Sequence, residues 1–192
     1  MVFPKKAVDI APHFTHAHTD QDLRQILDLQ RRNLKTQISE QTKREQGFVT
    51  VSHEWAQLQL MQSLTPQIVA KAGGRVVAYA LAMLPPMGGL IPDLQPMFEI
   101  IDEVEWNGKY LRDYRYYVMG QICVDEKYRG QGIFDGLYQK HKELYSAGYE
   151  LLVTEISTSN PRSQRAHERV GFCTIHTHLD HVDEWNIVAW EL

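Results

Sequence analysis

Residues 122–134 read ICVDEKYRGQGIF, and this stretch decides how the chain is organised. It changes from β-branched and apolar residues to a short polar loop with Arg129, Gly130 and Gly132, and then to a helical pattern. Glycines let the backbone approach a ligand closely, and the first turn of a helix has unpaired N–H groups at the positive end of its dipole. Such a unit favours binding of a phosphate or diphosphate; the alternative is a plain turn that uses glycine for its backbone angles.

The glycine pattern differs from two well-known phosphate loops. No Gly-Lys-Ser or Gly-Lys-Thr follows, as a P-loop requires. The spacing of Gly130 and Gly132 also differs from the dinucleotide fingerprint. The loop matches neither motif, so two interpretations stay open: it holds an anion through its backbone N–H groups, with Arg129 adding a fixed charge, or it is a plain turn between strand and helix.

The hydrophobic pattern on both sides of this unit predicts a mixed sheet with helices. Gly73-Gly74 predicts a hairpin turn, Gly120 a bulge or a close backbone approach, and the polar stretch 36–47 a mobile connection. The strands that flank the helix over 130–147 should be parallel. Helices are predicted over 20–35, after a capping Ser52, over 130–147 and over 161–170, and strands over 13–18, 67–72, 75–84, 114–124, 150–156, 172–179 and 185–192.

The predicted fold class is therefore α/β (α+β), with a central twisted sheet of about 6–7 strands flanked by about four helices. Residues 1–192 are predicted to form a single domain. Residues 85–112 form an insertion between the third and fourth strands, with prolines at 85, 86, 92 and 96. A small helix and an Asn107-Gly108 turn are expected within it.

Composition narrows the classes of function. The 192 residues are 43% hydrophobic and 23% charged, which fits one globular domain. A net charge of −4 lacks the basic excess of a nucleic-acid binder, so no nucleic-acid partner is expected. The longest apolar run, Val76 to Leu84, is shorter than the ~20 residues of a spanning helix, and no signal peptide is recognised. A cytoplasmic protein without a membrane partner is therefore expected.

Two motifs resemble those of a known superfamily. Residues 129–134, RGQGIF, resemble the Arg/Gln-x-x-Gly-x-Gly/Ala loop of the GNAT superfamily of N-acetyltransferases. Residues 160–172, NPRSQRAHERVGF, resemble its downstream pattern, in which Asn leads a helix that ends in Gly-Phe. One helix and one strand separate the motifs, as in that superfamily. The resemblance is specific over 115–172, weak over 1–66, and absent over 85–112.

The resemblance implies transfer of an acetyl group from acetyl-CoA to a primary amine, directly within a ternary complex. CoA would lie between the 114–124 and 150–157 strands, with its diphosphate on the backbone N–H groups that start the following helix. The acceptor would be a small-molecule amine or a peptide N-terminus, no metal is expected, and a homodimer is left open. The implied cofactor-binding residues are Ile122, Val124, Arg129, Gly130, Gln131, Gly132, Ile133, Phe134 and Asn160.

Two further residues match catalytic positions of the superfamily. Glu155 lies five residues before Asn160, where bacterial ribosomal-protein N-terminal acetyltransferases carry an acidic general base. His167 stands where many members carry a tyrosine that acts as general acid. The resemblance therefore implies Glu155 as base and His167 as acid. The alternatives are a solvent-facing or arginine-paired glutamate and a partly buried structural histidine.

Several alternatives stay open from the sequence. Asn160 either bonds the pantetheine arm or only caps its helix. Because Phe134 and His167 depart from the superfamily pattern, a non-catalytic module that binds acyl-CoA as a sensor is the second functional class. A metal-dependent protein is the third, since His176 and His178 share a strand face and His181 or Asp183 could complete a site. Arg162, Arg165 and Arg169 form either a solvated face or a contact to the 3′-phosphate of CoA.

The insertion over 85–112 is too apolar to remain a bare surface loop. It should therefore pack over the acceptor end of the cleft or form a contact between subunits.

Overall fold

A mixed sheet of seven strands forms the centre of the structure, a computed structural model in which residues 11–89, 94–181 and 183–192 are described. The described residues contain nine strands: β1 (His13–His16), β2 (Ile68–Ala72), β3 (Arg75–Met83), β4 (Glu105–Trp106), β5 (Lys109–Tyr110), β6 (Tyr116–Val124), β7 (Leu151–Ser157), β8 (Cys173–Leu179) and β9 (Glu184–Glu191). The main sheet has the order β1-β2-β3-β6-β7-β9-β8, and β4 and β5 form a separate hairpin. Within the main sheet β6 and β7 are parallel and the other neighbours antiparallel.

This arrangement confirms the predicted mixed α/β class, the hairpin at Gly73-Gly74 and the parallel pair around the central helix. The described ranges hold six helices instead of about four: α1 (Asp20–Asn33), α2 (Glu40–Gln46), α3 (Trp55–Leu64), α4 (Gln95–Asp102), α5 (Ile133–Tyr145) and α6 (Pro161–Val170). None of them is both long and apolar enough to cross a membrane.

Two local predictions were wrong. The stretch 36–47 contains α2, because Ser39 Oγ accepts the N–H of Thr42 at its start (3.1 Å) and Gly47 ends it with a φ of 72°. Ser52 is not the cap of the next helix. That helix begins at Trp55 after Glu54, whose N–H donates to the Gln57 side chain at 2.8 Å.

The helices cover both faces of the sheet. One face, here called the α1 face, packs α1, α3 and α4 against residues such as Tyr79, Val118 and Val153. The other, here called the α5 face, packs α5 and α6 against residues such as Tyr117 and Leu152. A parallel strand pair needs cover on both faces, and this two-sided packing supplies it at β6 and β7.

A bulge in β6 sits at the middle of the sheet. Met119 and Gln121 pair with successive residues of β3, so Gly120 has no partner of its own in that ladder. A Cβ atom at Gly120 would lie 2.2 Å from the Cε atom of Met83, so only glycine fits without displacement. The predicted bulge and the predicted close approach are both confirmed.

The strands β6 and β7 part soon after they begin. They pair from Tyr116 with Leu151 to Val118 with Val153, and no further. Thr154 donates its hydroxyl to the carbonyl of Met119 at 2.6 Å, at the point where they separate. Beyond this point the edge of β6 that faces β7 has no strand partner, which opens a cleft.

The described residues of the insertion, 85–89 and 94–112, pack on the α1 face. They include a 3-10 turn over Pro85–Gly89, α4 and the β4–β5 hairpin, which turns at Asn107 with a φ of 51°. The hydroxyl of Tyr116 donates to Asp102 at the end of α4 (2.7 Å). Between α4 and His176 of β8 lies a second, open cleft of about 720 Å³. A subunit contact through the insertion, and a single domain over 1–192, stay predictions.

Three buried histidines should make the stability depend on pH. Burial lowers the pKa of His53 and His167 to about 4 and that of His141 to about 3, against ~6.5 in an unfolded chain. The unfolded state therefore binds more protons below pH 6.5, so this stability is complete above that pH and is lost as the pH falls toward 4. We expect the free energy of unfolding to fall by about 2 kcal/mol per histidine between pH 6.5 and 5.

Urea unfolding of His141→Phe at the two pH values tests this expectation. The variant should show a pH dependence about 2 kcal/mol smaller than that of the parent protein. His13→Phe is the control, since His13 is exposed on β1 and its replacement should leave the parent's pH dependence in place. Equal pH dependence in the parent and in His141→Phe would contradict the expectation.

Candidate active site

A cleft of about 560 Å³ opens beside the C-terminal end of β6, at residues 122–124. Its walls are residues 122–124 of β6, the loop before α5, the first turn of α5, the side of α6 from Arg162 to Arg169, Asn33, and residues 47–49 after α2. Strand β7 does not line the cleft. The cleft lies where β7 has separated from β6.

The start of α5 offers unpaired backbone donors to this cleft. Gly130 and Gly132 have φ angles of 71° and 74°, a left-handed conformation that glycine adopts without strain. Gly132 is the N-cap of α5 and has no side chain to bond the first-turn N–H groups, which lack partners inside the helix. By contrast, α1, α2 and α6 are capped by side chains. The cleft-facing turn of α5 is therefore arranged to receive an anion.

Arg129 fixes the loop in this position. Its Nε donates to the carbonyl of Val124 at 3.0 Å, and its Nη2 donates to Oδ1 of Asn33 at 2.7 Å. The guanidinium therefore ties the loop both to the end of β6 and to the end of α1, besides adding positive charge. Sequence reasoning missed Asn33, and no local pattern marks it, because the contact joins distant parts of the chain.

The arginines of α6 make the cleft electropositive. Arg162 and Arg165 line it, and burial lowers the pKa of Arg162, an effect that the charges of Arg129 and Arg165 increase. Arg169 forms an ion pair with Asp135 at 2.6 Å. The cluster therefore concentrates positive charge beside the start of α5, where a phosphate would gain from it.

All the predicted cofactor-binding residues except Gln131 line the cleft. Gln131 turns its amide back to the carbonyl of Lys127, to which it donates at 3.0 Å. The Phe134 ring packs against Tyr138 and His167, with centroids 5.2 and 5.1 Å away, so it leaves the backbone N–H groups accessible.

Asn160 caps α6 and also contacts the residues after α2 that line the cleft. Its Oδ1 accepts the N–H of Ser163 at 3.2 Å, and its Nδ2 donates to the carbonyl of Phe48 at 3.5 Å. A Cβ atom at Gly47 would lie 3.3 Å from Oδ1 of Asn160. Asn160 therefore caps its helix, and because the same side chain borders the cleft, a contact to a pantetheine arm stays a prediction.

Glu155 lies at the level of the bulge, on the α1 face of β7. Val153 of β7 pairs with Val118 of β6. Glu155 comes two residues after Val153, and Gly120 comes two residues after Val118. Its side chain is 14% exposed, and Oε1 lies 2.8 Å from Nε2 of His178. Burial raises the pKa of Glu155, the hydrogen bond from His178 lowers it, and the charge of Asp180 raises it again. The net result is a carboxylate more basic than usual, which suits a general base.

His167 lies on the opposite face of the sheet and does not line the cleft. It is 1% exposed. Its Nδ1 lies 2.8 Å from the Ser163 carbonyl and its Nε2 lies 2.6 Å from the Tyr138 hydroxyl. In the neutral ring Nδ1–H donates to the carbonyl, and Nε2 accepts from Tyr138. The structure therefore does not bring Glu155 and His167 together, and this packing favours a structural role for His167.

The histidines of β8 share a face, as predicted, but they do not form a metal site. The rings of His176 and His178 stack with centroids 6.3 Å apart. Asp183 accepts the Ser157 hydroxyl at 2.6 Å instead of facing them. Across the described ranges, no group of three or more potential ligands is placed to hold a metal ion.

The Acetyltransferase (GNAT) family model matches residues 23–172, well over half of the chain. The chain therefore belongs to the GNAT family of acetyltransferases, and the expected resemblance is confirmed. None of the curated proteins matches its sequence.

Three solved structures illustrate how far the fold is shared. The ribosomal-protein-S18-alanine N-acetyltransferase from Escherichia coli is 15% identical, with 94% of each chain covered and a TM-score of 0.63. A GNAT-family acetyltransferase from Streptococcus agalactiae is 15% identical, with 94% of this chain and 95% of that chain covered and a TM-score of 0.64. The NatC complex bound to Gag peptide and CoA is 12% identical, with 94% and 98% covered and a TM-score of 0.63. At these identities the likeness shows the fold alone.

Replacing the glycine at the start of α5 should weaken the binding of CoA. Gly132→Ala places a side chain in the left-handed region, which costs about 1–2 kcal/mol, so we expect the loop to shift and the Kd for CoA to rise about tenfold. Titration calorimetry measures this change. Gly108→Ala is a matched control, because Gly108 has a φ of 82° in the β4–β5 hairpin, outside the cleft. Identical CoA affinities in the two variants would contradict the assignment.

Proposed function

We propose that this protein is an N-acetyltransferase that moves an acetyl group from acetyl-CoA to a primary amine. The observation that carries the proposal is the start of α5, which has no side-chain cap and faces an arginine-lined cleft in a chain of the GNAT family. CoA carries a diphosphate and a 3′-phosphate. Backbone N–H groups at Gly132 to Phe134 suit the diphosphate, while Arg162 and Arg165 suit the remaining phosphate.

The free edge of β6 would hold the pantetheine arm. Past Val118 this edge has lost its pairing with β7, so the backbone groups of Ile122 and Val124 can bond the amides of an extended ligand. An arm bound in this way runs from the start of α5 back toward Gly120. The thioester would then lie near the bulge, at the level of Glu155.

The reaction proceeds by direct transfer once both substrates are bound. Glu155 takes a proton from the acceptor ammonium, and the freed nitrogen lone pair attacks the thioester carbonyl. A backbone N–H at the Gly120 bulge stabilises the resulting oxyanion. The CoA thiolate then leaves, and it takes up, through water, the second proton that the nitrogen loses as it becomes an amide, so no dedicated acid is required. Binding both reactants in one complex supplies much of the rate.

The acceptor is a primary amine, on a small molecule or at a peptide N-terminus. Two of the structural neighbours point the same way: one is named for N-acetylation of an alanine, and one holds a peptide with CoA. The second cleft reinforces the preference for a cation, because Glu99, Glu103 and Glu105 line it on the α1 face, where Glu155 also lies.

A turnover screen tests the proposed activity. Purified protein is incubated with acetyl-CoA and a panel of amines and peptides, and free thiol and acetylated product are both measured. Product formation with any acceptor supports the proposal. CoA binding by calorimetry without turnover would favour the non-catalytic sensor module instead, and absence of CoA binding at millimolar ligand would overturn both.

Replacement of the base gives a sharper prediction. Glu155→Gln keeps the shape of the side chain but removes the proton acceptor, so kcat should fall about 10²–10⁴-fold and the acid limb of the pH profile should disappear. The Kd for CoA should stay unchanged. Glu191→Gln is the control, since Glu191 is exposed at the other end of the sheet, beside Leu151. Parent-like turnover in Glu155→Gln would remove Glu155 as the base.

Substitution of His167 distinguishes a catalytic role of this residue from a structural one. In His167→Phe the Tyr138 hydroxyl loses its acceptor, so we expect the free energy of unfolding to fall by about 1–3 kcal/mol. Turnover and its alkaline limb should persist in the folded variant. Loss of turnover in His167→Phe with rescue in His167→Tyr would instead identify His167 as the general acid implied by the family resemblance.

A further inference from the structure

Glu155 shares its carboxylate with a histidine that the proposed reaction has not used. His178 lies on the edge strand β8 and reaches past β9 to Glu155, with Nε2 2.8 Å from Oε1. The side chains are only 13% and 14% exposed, so water weakens this bond little. A contact this close and this sheltered constrains how the carboxylate can turn.

The other ring nitrogen of His178 defines its protonation state. Nδ1 is buried and has no hydrogen-bond partner among the described residues. A protonated Nδ1 would be a buried donor without an acceptor, which is costly, whereas an unprotonated Nδ1 only leaves a lone pair unused. The hydrogen-bond network therefore assigns a neutral ring whose Nε2–H donates to Glu155.

We propose that His178 is a positioning residue for Glu155: its Nε2–H holds Oε1 so that Oε2 faces the acceptor amine. This inference rests on the proposed function. In the step concerned, an N–H bond of the ammonium breaks, the proton moves to Oε2, and the electron pair stays on nitrogen for attack on the thioester. His178 keeps its own proton throughout.

The charges around the pair explain why the histidine matters. Burial disfavours the ionised carboxylate, Asp180 disfavours it further, and the hydrogen bond from His178 opposes both. His176 stacks on His178, and the α4 carboxylates lie across the second cleft from His176. On β9 the neighbouring residues, Trp185 and Ile187, do not titrate. Without His178, Glu155 would therefore stay protonated, and inactive as a base, up to a higher pH.

The test compares the pH profiles of kcat/KM for three variants. His178→Phe keeps a ring but removes the donor, so its acid limb should move upward by about half a pH unit or more, with kcat at pH 7 lowered about tenfold. His178→Gln can still donate, and its acid limb should return toward that of the parent. The KM for acetyl-CoA should stay constant in both.

Thr177→Val controls for disturbance of the edge strand. Thr177 is next to His178 on the opposite face of β8, where its hydroxyl donates to Asn186 at 2.7 Å. This variant should keep the parent's pH profile. A shift in Thr177→Val as large as that in His178→Phe would overturn the inference, because it would show a general effect of strand packing.

A second measurement separates this inference from the proposed function. NMR titration of carboxyl-labelled glutamate, with Glu155→Gln to assign the signal, follows ionisation of Glu155 without any substrate. If no acceptor is acetylated, the proposed function fails, and this titration alone decides: a higher titration point in His178→Phe supports control by His178, and an unchanged one overturns it. If the parent is active and Glu155→Gln is not, a parent-like profile in His178→Phe overturns the inference by itself.

Discussion

The early separation of β6 and β7 is the constraint on which the rest of the structure depends. Buried backbone N–H and C=O groups need partners, and a strand that loses its neighbour in mid-sheet must find them in water or in a ligand. Here the separation begins where β6 bulges at Gly120 and Thr154 bonds Met119. Three parts of the candidate site border the resulting gap: the free strand edge, the start of α5 and the cap of α6.

The two faces of the sheet support different parts of the candidate site. On the α5 face, Tyr138 contacts Phe134, His167, Phe172 and Trp190 through their rings, and this aromatic cluster holds α5 and α6 with their first turns at the cleft. The α1 face holds the insertion and the hydrogen-bonded pair of Glu155 on β7 and His178 on β8. The proposed anion site and the proposed general base therefore rest on opposite faces of the sheet.

Much of this arrangement was predictable because its signals are local. The loop with Gly130 and Gly132, the Asn160 cap and the bulge at Gly120 each follow from the demands of a few consecutive residues. Helix α2 was missed although Ser39 and Gly47 mark its ends, because its sequence is polar throughout and gives no hydrophobic period. The bonds of His178 to Glu155 and of His167 to Tyr138 were beyond prediction. They depend on strand register and helix packing, which join positions 23 and 29 residues apart.

The bond between Arg129 and Asn33 has a consequence for how the protein folds. These residues are 96 positions apart, so the loop before α5 acquires its final shape only after α1 has docked on the sheet. Contacts of such long separation form late, because the intervening chain must first lose much of its conformational freedom. The proposed anion site is therefore sensitive to changes in α1, although the two lie far apart in the sequence.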